Sequence, residues 1–189
     1  MSTRPEVFER VIETSSGEVV RIYEPTREDA AIAIDYLELI GGESDFLTFG
    51  LGEFGRDVAY EEEFFESKRQ SETDIALIAR SSRGDVVGML SFGTGARARM
   101  RHSGEFGVSV FKRCQGEGIA SAMLSMLIDW VSRNDVVRKV NLFVREDNHG
   151  AIALYLKFGF VIEGRIEKAM CVDGIYYDDY AMGLWIDRG

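Results

Sequence analysis

Two glycines separated by one residue precede an apolar stretch with helical periodicity. Gly116 and Gly118 lie in the segment Gln115-Gly116-Glu117-Gly118-Ile119-Ala120, and apolar residues then recur at positions 119, 123, 127 and 130. Glycine lets the backbone approach a ligand closely. The first amides of a helix have no intrahelical acceptor and lie at the positive end of the helix dipole. The segment therefore predicts an anion-binding site.

Two common phosphate-binding motifs do not fit this segment. A Walker loop ends in Gly-Lys-Ser/Thr, and that ending is absent. The dinucleotide fingerprint G-x-G-x-x-G requires a third glycine where this chain has Ser121. On spacing alone, a glycine-rich helix start that binds no ligand remains an equal alternative.

The elements that would position this segment predict a mixed α/β domain. Apolar alternation and helical periodicity predict strands at 19–23, 75–79, 86–92, 105–111, 136–144, 160–171 and 175–186, and helices at 26–40, 57–70, 119–131 and 148–158. Gly41-Gly42 would end the first helix, and 43–56 would form a loop. Tight turns at 81–85 and at Asp173-Gly174 predict antiparallel hairpins. We expect an N-terminal tail over 1–18 and a single domain over 19–189.

Composition and charge narrow the classes of function. The 189 residues carry a net charge of -10, which disfavours nucleic acid as a partner and mildly favours a cationic substrate. No signal peptide and no apolar run near the ~20 residues of a membrane span are present, so we expect a soluble, cytoplasmic protein without a membrane partner. Cys114 and Cys171 have no metal-ligand spacing. We interpret them as free thiols and expect no metal site.

Two sequence blocks resemble the GNAT acetyltransferase superfamily. Residues 115–120 match its Q/R-x-x-G-x-G/A signature, with Ala120 where glycine is common, and residues 107–111 look like the preceding strand. About thirty residues later, Asn148 to Phe160 resembles the family's N-x-x-A-x-x-x-Y-x-x-x-G-F block. The resemblance covers roughly 19–186. Its end, 174–184, looks like the branch of ribosomal-protein N-terminal and small-amine or amino-acid acetyltransferases.

The resemblance implies a fold and a cofactor site. The fold would be three-layered, with a central, mostly antiparallel sheet of six to seven strands flanked by about four helices. Acetyl-CoA would be the cosubstrate, and no metal would be needed. Backbone groups of Val108, Ser109 and Val110 would pair with the pantetheine arm, and Asn148 would hydrogen-bond the cofactor nearby. The pyrophosphate would be held by amides of Gln115, Gly116, Glu117, Gly118, Ile119 and Ala120, together with Ser121.

The implied reaction needs a base and an acid, either of which water can replace. An alkyl ammonium with a pKa near ~10 must lose a proton before it attacks the thioester, and the leaving thiolate, with a pKa near ~8.5, then takes one up. The family position implies that Tyr155 is the acid beside the thioester sulfur; alternatively, Tyr155 is an aromatic residue of the core. It also implies that Glu105 is the base; alternatively, Glu105 is an acid at the edge of a strand or binds the ammonium group of the substrate. Glu61, Glu62 and Glu63 are interpreted as a solvated helix face.

The sequence therefore predicts an N-acetyltransferase that acts by direct attack in a ternary complex. The acceptor would be a primary amine, such as an amino acid, a small amine or a peptide N-terminus. The alternative is a catalytically inactive GNAT-like module that binds coenzyme A. By resemblance, a homodimer is possible, and Asp178, Asp179 and Tyr180 would line the acceptor pocket.

Overall fold

The computed structural model describes residues 4–7 and 9–187, which form one eight-stranded sheet with four helices. The strands are β1 (Arg10–Glu13), β2 (Val19–Tyr23), β3 (Ile75–Ser81), β4 (Val86–Thr94), β5 (Ser103–Val110), β6 (Lys139–Arg145), β7 (Val161–Val172) and β8 (Ile175–Trp185). The helices are α1 (Ala30–Glu43), α2 (Val58–Gln70), α3 (Ile119–Arg133) and α4 (His149–Lys157). The strand order is β1-β2-β3-β4-β5-β6-β8-β7.

The central pair β5 and β6 is the parallel pair of an otherwise antiparallel sheet. Its register runs only from Ser103 opposite Lys139 to Glu105 opposite Asn141. Beyond Glu105, β5 continues to pair with β4 as far as Val110, while β6 pairs with β8. The two strands therefore diverge and leave an open wedge between them, with an unpaired edge of β5 along one side.

The helices cover the two faces of the sheet. On the α3–α4 face, Phe92 packs against Trp130 of α3, and its cross-strand partner Phe106 packs against Tyr155 of α4. On the opposite α1–α2 face, the hydroxyl of Tyr36 in α1 lies 2.9 Å from the Ser109 hydroxyl. Because side chains alternate along a strand, residues 105, 107 and 109 of β5 belong to this second face.

The mixed α/β class and the mostly antiparallel sheet are confirmed, but the count of six to seven strands is wrong. The additional strand is β1, which pairs with β2 from Arg10 opposite Ile22 to Glu13 opposite Val19. Its four residues are too few to show periodicity in the sequence, and backbone pairing with β2 orders them. Part of the expected tail over 1–18 is therefore strand, and residues 1–3 and 8 lie outside the described residues.

The first helix also extends further than its glycines indicated. α1 continues through Gly41 and Gly42 to Glu43. A Cβ at Gly41 would lie 2.6 Å from the carbonyl oxygen of Gly50. The glycine therefore permits a close approach of the following loop instead of ending the helix.

Candidate cofactor and acceptor site

The loop before α3 presents a row of backbone amides without acceptors. Gly116 and Gly118 have φ angles of +78° and +84°, a left-handed conformation that glycine adopts readily. Among the described residues, no backbone carbonyl accepts from the amides of 116–121, and the first helical bond runs from the Ala122 amide to Gly118 O at 2.9 Å. Free amides at the positive end of a 15-residue helix suit an anion such as a pyrophosphate.

Side chains of the loop brace it to its surroundings. The Glu117 carboxylate accepts from the Ser15 hydroxyl at 2.6 Å and from the Ser16 amide at 3.0 Å, and these bonds lower its pKa. Its charge is thereby held at the β1–β2 turn. The Gln115 side chain donates to the carbonyl of Val110 at 3.3 Å, which joins the loop to the end of β5.

The wedge between β5 and β6 leads to this row of amides. Residues 108–110 of β5 are paired with β4 on one side only, so their other edge is available to an extended chain. Ser109 directs its side chain to Tyr36 on the α1–α2 face. A pantetheine arm running along this edge would join a thioester near the closed end of the wedge to a pyrophosphate at α3, so the residues present fit acetyl-CoA.

Asn148 begins α4 on the far side of the wedge. Its side-chain oxygen accepts from the Ala151 amide at 3.3 Å and caps the helix. Among the described residues, its side-chain nitrogen has no acceptor. Asn148 can therefore cap α4 and still has a donor for a ligand, and its role in holding the cofactor stays a prediction.

Two substitutions at Asn148 should separate these roles. Aspartate keeps the capping oxygen and removes the donor, so N148D should keep the melting temperature and raise the KM for acetyl-CoA several-fold. Alanine removes both, so N148A should also lose about 1 kcal/mol of stability. Thermal melts and steady-state kinetics on both variants check this. An unchanged KM in both would remove Asn148 from the cofactor site.

Tyr155 combines a buried ring with a hydroxyl that reaches solvent. The side chain is 7% exposed and packs against Phe106 and Phe160, with ring centroids 5.7 and 5.9 Å apart. Its hydroxyl makes no hydrogen bond to any described residue and is not a fully enclosed atom. Burial raises its pKa to about 12, so the phenol stays protonated at neutral pH and can donate. The core-aromatic and donor interpretations are therefore compatible.

Glu105 lies at the closed end of the wedge. It is the last residue of β5 in register with β6, and its side chain is exposed on the α1–α2 face. Partial burial raises its pKa. Tyr155 packs on the opposite face of β5, so the predicted base and the predicted acid flank the wedge from its two sides.

The loop between α1 and α2 is fixed above the α1–α2 face by one buried arginine. Arg145 of β6 donates to the carbonyl of Asp45 in this loop at 2.9 Å and to both carboxylate oxygens of Asp147 at 2.7 and 2.9 Å. Its guanidinium also lies over the rings of Phe46 and Tyr177, at 4.3 and 3.9 Å from their centroids. These contacts connect the loop, β6 and β8 around the acceptor side of the wedge.

The three predicted acceptor-pocket residues of β8 have different environments. Asp178 pairs with Arg165 at 2.6 Å and accepts from the Lys168 amide at 2.8 Å. Tyr180 lies opposite Val144 and packs on the core at the α3–α4 face. Asp179 belongs to the α1–α2 face, and its Oδ1 is fully enclosed without a partner among the described residues. Of the three, Asp179 is the one with a carboxylate oxygen that makes no hydrogen bond to a described residue, and that oxygen is enclosed beside Arg145.

Glu61 contradicts the prediction of a solvated acidic face on α2. Its side chain is only 2% exposed, and burial raises its pKa to about 7, partly offset by Arg56. Glu61, Phe65 and Lys68 share one face of α2, and Phe65 is fully buried. The 61, 65, 68 spacing was visible in the sequence and could have indicated which of the three glutamates points inward.

Comparisons with known proteins agree with this geometry. The model of the acetyltransferase (GNAT) family matches residues 44–160. The chain belongs to the GNAT family. It is 38% identical over 99 residues to the L-amino acid N-acetyltransferase AaaT of Escherichia coli (strain K12), covering 52% of this chain and 61% of that protein. The match thus spans about three fifths of the length of this relative.

Solved structures extend the similarity across most of the chain. A GNAT-family acetyltransferase from Streptococcus pneumoniae has a TM-score of 0.85 at 29% identity, over 89% of this chain and 99% of that one. The Salmonella typhimurium protein yncA, solved with its cofactor acetyl-CoA, has a TM-score of 0.78 at 20% identity. The match covers 90% of this chain and 95% of that one. At that identity, yncA supports the fold alone.

Among the described residues, no cluster of three or more His, Cys, Asp or Glu side chains has the geometry to hold a metal ion. Cys114 and Cys171 are free, as the sequence predicts. Within 4–7 and 9–187, no helix is long and apolar enough to cross a membrane.

Proposed function

We propose that this protein is an N-acetyltransferase that moves the acetyl group of acetyl-CoA to a primary amine. The observation that carries the proposal is the β5–β6 wedge, which runs from the closed end at Glu105 to the free amides of 116–121. An extended thioester cofactor fits this path with its pyrophosphate on the amides. The family membership supports the same chemistry.

The residues around the wedge fit direct transfer in a ternary complex. An amine that approaches from the α1–α2 face reaches the thioester beside Glu105, while Tyr155 stands on the opposite face. The pKa of about 12 makes this phenol a weaker acid than a thiol with a pKa near ~8.5. Tyr155 therefore stabilises the developing thiolate as a hydrogen-bond donor, and solvent can supply the final proton.

We propose a small cationic amine or amino acid as the acceptor. The net charge of -10 favours the approach of a cation. Asp179, on the acceptor face, has one carboxylate oxygen that makes no hydrogen bond to a described residue. The relative named as an L-amino acid N-acetyltransferase supports an amine of this size.

A turnover screen tests the proposal. The purified protein is incubated with acetyl-CoA and a panel of amino acids, polyamines, aminoglycosides and peptide N-termini, and release of free thiol is followed. We expect at least one amine to accelerate thiol release well above the rate without amine. Tight acetyl-CoA binding without turnover on any amine would instead favour a binding module. Stabilisation by ATP rather than by acetyl-CoA would contradict both.

A further inference from the structure

Glu61 is a buried acid whose carboxylate has no partner in the part of the chain that the structure describes. It is 2% exposed, and its side chain makes no hydrogen bond or ion pair with a described residue. The adjacent Glu62 lies 3.8 Å from Arg27, and Glu63 is exposed. A buried carboxylate without a partner costs stability, so a fold that retains one is a candidate for function.

The side chain points from α2 towards the sheet. Residues 61, 65 and 68 are four and three positions apart and share one face of the helix. Phe65 is fully buried, and the Lys68 ammonium lies 2.9 Å from the carbonyl of Phe92 in β4. This stripe therefore faces the sheet.

The contacts of α2 place it on the α1–α2 face of the sheet. Its end is attached to β4 through Lys68, and the helix packs beside α1, which reaches β5 where the Tyr36 hydroxyl lies 2.9 Å from the Ser109 hydroxyl. In the sheet, β5 lies between β4 and β6. At 1.5 Å per residue, Glu61 is about 10 Å along the helix from Lys68, towards the loop.

Open space lies over β5 on the face of the sheet that α1 and α2 cover. A Cβ at Gly107 of β5, on the α1–α2 face, would meet no atom within 4 Å. Glu105 lies two residues earlier on the same face. The carboxylate oxygens of Glu61 are not among the fully enclosed atoms, so they border a space that water can reach.

We propose that Glu61 is the catalytic base that takes the proton from the acceptor ammonium in this space. This role rests on the proposed acetyltransferase activity. The carboxylate accepts one proton from the ammonium, and the neutral nitrogen bonds to the acetyl carbon. The carbon–sulfur bond breaks, and its electron pair leaves on the thiolate. The thiolate, stabilised by the Tyr155 hydroxyl, takes a proton from solvent, and Glu61 returns its proton to solvent.

The charges around Glu61 suit this role. Arg56 from the loop favours the carboxylate, but burial outweighs it and sets the pKa at about 7. The other charged groups on the packed elements are engaged elsewhere: Arg27 with Glu62 and Glu66, Lys68 with Asp74, and Arg80 with Asp29. From α1, Tyr36 faces Ser109. Glu105 of β5 lies on the same face of the sheet. A general base is most effective when its pKa lies near the working pH.

The test compares Glu61→Gln with Glu63→Gln, an exposed neighbour on the same helix. With the best amine of the screen, E61Q should lower kcat/KM by about 100-fold and lose the limb of the pH–rate profile that rises through neutral pH. Its affinity for acetyl-CoA should stay within about 3-fold of wild type, a difference of ~0.65 kcal/mol in binding free energy. E63Q should match wild type in all three, and Glu61→Asp should restore part of the rate and the limb.

Folding of the variant is checked by its melting temperature. Since the folded pKa of about 7 lies above the ordinary glutamate pKa of 4.5, the stability from this group is lost as the pH rises from about 4.5 through 7. The neutral glutamine avoids this loss, so E61Q should melt above wild type at about pH 8. A folded E61Q with wild-type rate and pH limb would overturn the role of Glu61 alone. Absence of wild-type turnover on every amine would overturn the proposed function as well.

Discussion

Replacing Gly118 by valine is expected to raise the dissociation constant for acetyl-CoA by about 100-fold, or ~2.7 kcal/mol. Gly118 is the N-cap of α3 and has a φ of +84°. A β-branched residue is strained in this left-handed conformation by ~1–3 kcal/mol. The backbone would relax to another conformation and turn the amides of 116–121 away from the pyrophosphate.

A matched glycine controls for backbone strain. Gly174, in the β7–β8 turn, has a φ of +80°, and a Cβ there also meets no atom within 4 Å. Gly174→Val should lower the melting temperature comparably and leave the affinity for acetyl-CoA unchanged. Isothermal titration on both variants measures the difference. Equal losses of affinity would mean that the loop before α3 does not hold the cofactor.

Replacing Tyr155 by phenylalanine is expected to lower kcat by about 100-fold while changing acetyl-CoA affinity by less than about 3-fold. The ring contacts with Phe106 and Phe160 survive the substitution, so packing is preserved. Only the hydroxyl is lost, and it has no partner among the described residues. Its removal should therefore affect the leaving thiolate alone.

Tyr60→Phe is the control for this substitution. Tyr60 is 43% exposed on α2, and removal of its hydroxyl should change neither kcat nor the affinity for acetyl-CoA. Steady-state rates and acetyl-CoA titrations on both variants provide the comparison. Unchanged turnover in Y155F would remove Tyr155 from the mechanism and leave stabilisation of the thiolate to solvent.

The features that the sequence predicted well depend on local backbone requirements. Gly116 and Gly118 take the left-handed conformations that glycine favours, and Asp173-Gly174 form the turn of the last hairpin with φ angles of +50° and +80°. Asn148 caps α4 by accepting a hydrogen bond from the backbone amide of Ala151, three residues later. Such features are set by a few neighbouring residues and can be read from them.

The features that the sequence did not reveal depend on tertiary packing. β1 is a strand because β2 offers it a paired edge, and the wedge exists because β5 and β6 separate after Glu105. The spacing of Glu61 from Phe65 indicates which of three consecutive glutamates on α2 points inward. The docking of α2 on the sheet then decides how deeply Glu61 is buried, while Glu63 is exposed.

The central claim is acetyl transfer from a thioester in the β5–β6 wedge to an amine. The most direct measurement supplies acetyl-CoA that carries an isotopic label in its acetyl group, together with the best amine of the screen, and records the mass of the amine. We predict one labelled acetyl group on the amine for each free thiol released. Thiol release without labelled amine, or bound acetyl-CoA with neither product, would contradict the account.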